Sequence, residues 1–155
     1  MSPTSFTPRD PDFAARVRAS FERQQFMATL GARLVRVEPG LCEIELAWRR
    51  ELTQQHEYLH AGACASIADS AGGYAAYSLM PAGSSVLSVE FKVNLLEPAQ
   101  GERFVGRARV VRAGKRLSVC QLEVEAWQGT RSKTCLFGMQ TVMCLPGTAD
   151  DPTRG

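Results

Sequence analysis

The segment from Ala61 to Ala76, AGACASIADSAGGYAA, limits what this chain can fold into more than any other segment. Thirteen of its sixteen residues are Ala, Gly, Ser or Cys, and Pro81 and Gly83 follow shortly after it. A helix at the surface would carry Lys and Glu on its outer face, and this segment has neither. The sequence therefore predicts a helix over residues 61–80 that the rest of the protein encloses on most sides.

Asp69 is the only charged residue in this predicted helix. Burial of a carboxylate is costly unless another group pairs with it or a reaction uses it. The helix begins near His60, so the backbone N–H groups of Ala61, Gly62 and Ala63 have no partner within the helix. Helix ends of this kind bind anions or a developing oxyanion. The helix therefore carries a candidate base or nucleophile and a candidate oxyanion site.

These two candidate groups are too far apart to serve one reaction within a single chain. Ala61 and Asp69 are eight residues apart, which is about 12 Å along an α-helix. A reacting group has to lie about 3 Å from each of them. A second copy of the helix, running antiparallel beside the first, would bring Asp69 of one chain near Ala61 of the other. If both groups act together, the site requires two chains.

The remaining segments predict the framework around this helix. Apolar residues recur at helical spacing from Asp12 to about Gly31, which indicates one amphipathic helix. The stretch 32–50 alternates on either side of Glu38-Pro39-Gly40, which is typical of a β-hairpin. A curved antiparallel sheet wrapped around the helix is the economical arrangement, and Gly72 and Gly73 would let the sheet approach closely. The four later strands are predicted in SVLSVEFKVNLLEP, ERFVGRARVVRAG, KRLSVCQLEVEAW and SKTCLFGMQTVMCL.

Length and composition indicate one soluble domain over residues 12–146, with flexible ends at 1–11 and 147–155. The net charge is only +2 and the arginines are scattered, so we expect no nucleic-acid partner. The five cysteines form no CxxC pair, which argues against a disulfide framework and a metal site. No stretch approaches the roughly 20 apolar residues of a membrane span, and the first residues do not resemble a signal peptide. We therefore expect a cytoplasmic protein without a membrane partner.

The order Gln54…His60-Ala61-Gly62…Asp69, followed by SVEFKVNLLEPA and AGKRL, resembles the hotdog-fold acyl-CoA thioesterases of the phenylacetate-degradation (PaaI) type over roughly residues 25–146. The resemblance implies an α+β fold in which a curved antiparallel sheet surrounds one long helix, preceded by an N-terminal helix. It implies a homodimer with active sites between subunits, often assembled as a dimer of dimers. It also implies hydrolysis of an acyl-CoA thioester to a free acid and coenzyme A, with no metal or other cofactor.

The resemblance implies catalytic roles for individual residues. Asp69 matches the helix carboxylate that acts as general base or nucleophile on the thioester. Ala61 matches the residue whose backbone N–H polarises the thioester carbonyl, although His-Ala-Gly here replaces the usual His-Gly-Gly. Gln54 lies where an amide holds either His60 or the carbonyl oxygen. Ser88 matches a strand hydroxyl that helps to place the attacking water.

Three further residues are implied to bind substrate. Gly62 is assigned to the substrate site because its lack of a side chain would let a ligand oxygen come close. Lys115 and Arg116 lie in a turn that, in relatives, is near the phosphates of coenzyme A.

Several alternatives remain open from the sequence. One alternative for Asp69 is a structural carboxylate that is hydrogen-bonded to a Ser or Tyr. The alternative for His60 is a residue that simply orients the loop through a hydrogen bond. Cys64 lies four residues after His60, which suggests a catalytic Cys–His pair. We interpret Cys64 instead as one of the small residues that pack the helix, because no third orienting group is evident.

The alternative function is a non-catalytic acyl-CoA-binding protein on the same scaffold. A dehydratase of this fold is disfavoured because its histidine and carboxylate follow a different local pattern. The acyl group is open between an aromatic and a medium aliphatic chain, with pocket walls proposed at Tyr74, Tyr77, Met80 and Phe91.

Overall fold

The computed structural model describes residues 6–148, 150, 151 and 153, and its main feature is one six-stranded curved sheet around a long helix. All strand pairs are antiparallel, so the predicted α+β arrangement is confirmed. The elements in chain order are α1 (Phe13–Glu22), α2 (Gln25–Leu30), β1 (Arg33–Glu38), β2 (Leu41–Ala47), α3 (Ala61–Tyr77), β3 (Ser84–Leu95), β4 (Arg103–Ala113), β5 (Leu117–Gln128) and β6 (Arg131–Pro146). The strands lie in the order β1-β2-β4-β5-β6-β3.

Small residues bring α3 and the sheet close together. A Cβ at Gly106 of β4 would lie 3.0 Å from the Cγ1 of Ile67, so this glycine lets the strand lie against the helix. A Cβ at Gly72 would lie 1.7 Å from the Oε1 of Gln140, a residue of β6. At Gly73 a Cβ would meet no described atom within 4 Å. The prediction that close approach of the sheet explains both glycines is therefore right for Gly72 and wrong for Gly73.

The predicted single helix over residues 12–31 is wrong, because the structure divides it into α1 and α2. Gln24 separates the two with an extended backbone, at φ −75° and ψ 98°. Its side chain donates to the hydroxyl of Tyr74 at 2.9 Å and accepts from the Oγ of Ser70 at 3.3 Å. These contacts with α3 explain the break, since a continuous helix would direct the Gln24 side chain elsewhere. Helix α2 then ends at Gly31, whose φ of 72° favours glycine.

Arg16 of α1 holds the C-terminal end of α3. Its guanidinium donates to the backbone carbonyls of Tyr77 at 3.2 Å, Met80 at 2.8 Å and Pro81 at 3.0 Å. The last carbonyls of a helix have no partner within the helix, and a cationic side chain satisfies them well. Helix α3 accordingly ends at Tyr77, three residues before the predicted Met80.

Part of the segment predicted to be a flexible N-terminus contacts the rest of the chain. Phe6 packs against the hydrophobic core, and Asp10 forms an ion pair with Arg16 at 2.9 Å. The predicted domain boundary at residue 12 stays a prediction. Within the predicted flexible C-terminus, Asp150 forms an ion pair with Arg23 at 2.7 Å. Residues 1–5, 149, 152, 154 and 155 lie outside the described part of the chain.

Among the described strands, β3 forms one edge of the sheet and has β6 as its sole neighbour. The register with β6 shifts between Ser88 and Glu90, which marks a β-bulge beside the middle of α3. Large apolar side chains along this edge and just after it are exposed, namely those of Leu87, Val89, Phe91, Leu95 and Leu96. Among the described residues no helix combines the length and the apolar character that crossing a membrane would require.

Candidate active site

Asp69 lies in the middle of α3 and is held from the sheet by two side chains. The hydroxyl of Ser88 on β3 donates to its Oδ1 at 2.6 Å, and the amide of Gln140 on β6 donates to the same oxygen at 2.6 Å. No described group donates to the second carboxylate oxygen, Oδ2. The structure therefore brings Asp69 and Ser88 into contact, which the structural alternative for Asp69 also expects, and it leaves Oδ2 without a described donor.

A cavity of about 490 Å³ opens beside this carboxylate. Its wall includes a cluster of polar groups around Tyr74, whose hydroxyl lies 3.2 Å from the Oγ of Ser20 and accepts from Gln24. Burial raises the pKa of Tyr74 to about 12, so its hydroxyl stays protonated at neutral pH. The described lining residues are Ser20, Arg23, Gln24, Asp69, Ser70, Gly73, Tyr74, Val86, Ser88, Asp150, Asp151 and Thr153.

His60 caps the N-terminal end of α3. Its Nδ1 accepts from the N–H of Gly62 at 2.8 Å, and its carbonyl accepts from the N–H groups of Ala63 at 2.9 Å and Cys64 at 3.2 Å. Within the described residues, nothing accepts from the N–H of Ala61. The prediction that three N–H groups lack a partner is therefore wrong for Gly62 and Ala63. Of the three, Ala61 is the one whose N–H has no described acceptor. The loop-orienting role predicted as an alternative for His60 is the one that this geometry supports.

A second cavity, of about 420 Å³, lies at this end of the helix and is lined by Ala61 and Gln54. The Oε1 of Gln54 accepts from the N–H of His56, and no hydrogen bond joins Gln54 to His60, so that predicted contact is absent. The two cavities share no lining residue among those described. Within one chain, Asp69 and Ala61 therefore face separate cavities.

The sequence profile of the thioesterase superfamily matches residues 56–133 of this chain, half of its length. The chain belongs to the thioesterase superfamily. A solved thioesterase-family protein from Silicibacter pomeroyi is 47% identical to it, with a TM-score of 0.85, over 87% of this chain and 99% of that chain. The proofreading thioesterase EntH of Klebsiella pneumoniae subsp. pneumoniae is 28% identical over 80% of this chain and 90% of its own.

The E. coli PaaI protein from the phenylacetic acid degradation operon shares the fold, with a TM-score of 0.79 at 20% identity over 88% of this chain and 96% of that chain. The predicted resemblance to hotdog thioesterases of the PaaI type is confirmed. Membership of this superfamily supports thioester hydrolysis as the general activity of the chain.

Lys115 and Arg116 of this thioesterase lie in the turn between β4 and β5. Both are exposed, and neither lines the cavity at Asp69 or the cavity at Ala61. The carbonyl of Arg116 accepts from the N–H of Cys144 at 2.8 Å, which ties the turn to β6. The predicted phosphate contact stays a prediction.

Gln140 is the site residue of this thioesterase that the sequence reasoning missed. It is 1% exposed and donates to both Asp69 and Ser88. A signal was present in β6, where the alternating buried positions are otherwise small or apolar. A glutamine on the buried face of a strand requires a polar partner in the interior, and Asp69 is that partner.

Cys64 of this thioesterase is buried, and a hydrogen bond with Cys135, together with burial, raises its pKa. The thiol is therefore uncharged at neutral pH, which agrees with its interpretation as packing. Within the described residues no three His, Cys, Asp or Glu side chains are arranged to hold a metal ion.

Proposed function

We propose that this chain hydrolyses an acyl-CoA thioester to a free acid and coenzyme A, in active sites that lie between two copies of the chain. The observation that carries the proposal is the Asp69 carboxylate at the wall of a cavity, with Oδ1 held by Ser88 and Gln140 and Oδ2 left without a described donor. A carboxylate oriented in this way suits the activation of water or direct attack on a carbonyl carbon.

The backbone N–H of Ala61 supplies the complementary group in this proposal. It has no acceptor among the described residues and lines the second cavity. A helix N-terminal donor of this kind stabilises the negative charge that develops on the thioester oxygen. His60 fixes the direction of this helix end by accepting from Gly62, and Gln54 lines the same cavity, where its amide would contact the substrate.

Two features support a site shared between chains. Asp69 and Ala61 line separate cavities within one chain, so one substrate carbonyl meets both groups only if a second helix lies antiparallel to the first. The edge strand β3, which carries Ser88, exposes a row of large apolar side chains. An exposed apolar edge strand is a surface on which another chain docks. We propose that a second copy pairs there, and that such dimers associate in pairs.

The chemistry within this site needs few groups. Asp69 removes a proton from water that attacks the thioester carbon, or attacks the carbon itself to give an anhydride that water then opens. Ser88 assists by orienting the carboxylate and the water. The thiolate of coenzyme A departs without a dedicated acid because it is a good leaving group, and the proposal requires no metal or redox cofactor. Lys115 and Arg116 are proposed to contact the coenzyme A phosphates.

The first experiment measures release of free thiol from a panel of aromatic and aliphatic acyl-CoA substrates. We expect Asp69→Asn to abolish turnover while coenzyme A still binds, because the amide cannot accept a proton or attack. Glu38→Gln is the matched control, since it neutralises an exposed carboxylate of β1 that lines neither cavity. Acyl-CoA binding without thiol release by the wild-type protein would favour the non-catalytic alternative.

The second experiment removes the proposed oxyanion donor. Ala61 is the first residue of α3, where proline fits a helix, and His60 before it has φ −61° and ψ 138°, which suits a residue that precedes proline. Ala61→Pro therefore deletes one N–H that makes no described hydrogen bond. We expect kcat to fall by about 10² to 10³, as for loss of an oxyanion donor elsewhere. A kcat within twofold of wild type would exclude this role for Ala61.

Mixing the two inactive variants tests the shared site directly. If each site takes Asp69 from one chain and Ala61 from its partner, random exchange of Asp69→Asn and Ala61→Pro chains makes half of the dimers mixed. One of the two sites in each mixed dimer is then intact, so activity recovers to about a quarter of wild type. A site within one chain would leave the mixture as inactive as its components.

A further inference from the structure

Gln140 combines two features that stability alone does not explain. Its Oε1 is buried and has no hydrogen-bond donor among the described residues. Helix α3 also has a glycine, Gly72, opposite this oxygen. A Cβ at Gly72 would lie 1.7 Å from the Oε1 of Gln140. An unpaired buried acceptor and a glycine inside a helix both cost free energy of folding. An apolar side chain of the same size on β6 would avoid the first of these costs.

The opposite end of the same amide makes several contacts with the proposed site. The Nε2 of Gln140 lies 2.6 Å from the Oδ1 of Asp69, 2.9 Å from the Oγ of Ser88 and 3.2 Å from the carbonyl oxygen of Asp69. Because Nε2–H donates to Ser88 Oγ, the Ser88 hydroxyl proton is directed to Asp69 Oδ1. Both side chains thus hold the same carboxylate oxygen, and only Oδ2 is left for the reaction.

We propose that Gln140 is a positioning residue, which holds the Asp69 carboxylate and the Ser88 hydroxyl in the orientation that presents Oδ2 to the attacking water or the thioester carbon. This inference rests on the proposed catalytic role of Asp69. Gln140 lines neither of the two described cavities, so in this proposal it acts through Asp69 and Ser88. Its effect is therefore on the chemical step and not on substrate binding.

The test compares Gln140→Met with Gln121→Met at a temperature where both variants are folded. Methionine keeps the size of glutamine and removes the donor. Gln121 is a partly buried glutamine on the neighbouring β5 that donates to Glu123 and not to Asp69, which makes it the matched control. We expect Gln140→Met to lower kcat by about tenfold to 100-fold with KM unchanged, since small misplacements of a catalytic group have effects of this size. Gln121→Met keeps wild-type kcat and KM.

A double-mutant cycle separates positioning from a general structural effect. If Gln140 acts through Ser88, then Gln140→Met reduces kcat much less in a Ser88→Ala background than in the wild type. A structural role would lower the folded fraction in either background, so the two fold-changes would multiply. Multiplicative losses would overturn the coupling of Gln140 to Ser88 and would restrict its positioning role to the direct hydrogen bond with Asp69.

The remaining outcomes distinguish this proposal from the proposed function. Thiol release by Asp69→Asn at the wild-type rate would remove the catalytic assignment itself. An inactive Asp69→Asn together with wild-type kcat in Gln140→Met would overturn only the positioning role. If Gln140→Met does not fold, Gly72→Ala replaces it, because the new methyl displaces the amide from the helix side. A lowered kcat in folded Gly72→Ala supports the proposal, and an unchanged kcat overturns it.

Discussion

The adjacent glycines of α3 make a matched pair for measuring how tightly the sheet packs on the helix. Substitution by alanine stabilises a helix interior by about 1 kcal/mol at either position. At Gly73 nothing described lies within 4 Å of the new Cβ, so the full gain is expected. At Gly72 the new Cβ would lie 1.7 Å from the Oε1 of Gln140 and 2.8 Å from the Cδ2 of Leu122.

The cost at Gly72 has two parts. Overpacking of a filled interior costs about 1–3 kcal/mol. Displacement of Gln140 also weakens its one hydrogen bond to the Asp69 carboxylate, which is worth roughly 1.5–3 kcal/mol. After the helix gain is subtracted, we expect Gly72→Ala to lose about 2–4 kcal/mol of unfolding free energy, against a gain of about 0.5–1 kcal/mol for Gly73→Ala.

The assay is urea unfolding followed by circular dichroism, without substrate and at one fixed protein concentration, since association alters apparent stability. The difference between the two variants matters more than either value, because both share the same helix propensity term. Equal stabilities for Gly72→Ala and Gly73→Ala would refute the close packing of Gln140 on the helix.

Three further predictions concern other parts of the molecule. Arg16→Leu removes the donors to three carbonyls at and just after the end of α3, and it removes the ion pair of Asp10. Urea unfolding is expected to show a loss of about 2–4 kcal/mol, and a loss under 1 kcal/mol contradicts this account. Burial raises the pKa of Tyr74 to about 12, so the folded state keeps a proton that the unfolded state loses near pH 10. Through Tyr74, the free energy of unfolding therefore falls by up to about 1.4 kcal/mol per pH unit between pH 10 and pH 12. Burial also raises the pKa of Tyr77 and of Cys120, so Tyr74→Phe should make that slope shallower without removing it, and an unchanged slope would exclude a contribution from Tyr74. The double variant Lys115→Ala, Arg116→Ala should raise KM for acyl-CoA by roughly threefold to tenfold at low salt with kcat unchanged; no change in KM argues against the phosphate contact.

The parts of the fold that follow from local periodicity were predictable from the sequence. The small-residue composition of α3 predicts its burial, and the alternation in β5 predicts a strand with one buried face. The break between α1 and α2 was not predictable, because glutamine is a good helix former. The partners that draw Gln24 out of the helix, Ser70 and Tyr74, are about fifty residues away and become neighbours only in the folded chain.

The candidate site also has one part that the sequence predicts and another part that it does not. Asp69 and Ser88 were identified from a motif, and the structure places them in hydrogen-bond contact. The sequence predicts too many N–H groups without a partner at the start of α3. The His60 side chain accepts from the N–H of Gly62 and the His60 carbonyl accepts from the N–H of Ala63, a local geometry that composition does not specify. The sequence does not identify Gln140 as a site residue, because its contact with Asp69 depends on how β6 is positioned against α3.

The break between α1 and α2 at Gln24 determines which residues can change the wall of the cavity beside Asp69. The side chains that surround the hydroxyl of Tyr74 come from α1 and from the residue between α1 and α2, whereas Asp69 is anchored from β3 and β6. Substitutions at residues 20–24 therefore change one wall of the cavity beside Asp69 and leave the hydrogen bonds from Ser88 and Gln140 in place. Under the proposed function, a change of acyl preference is therefore expected from substitutions at residues 20–24 rather than from substitutions in the strands.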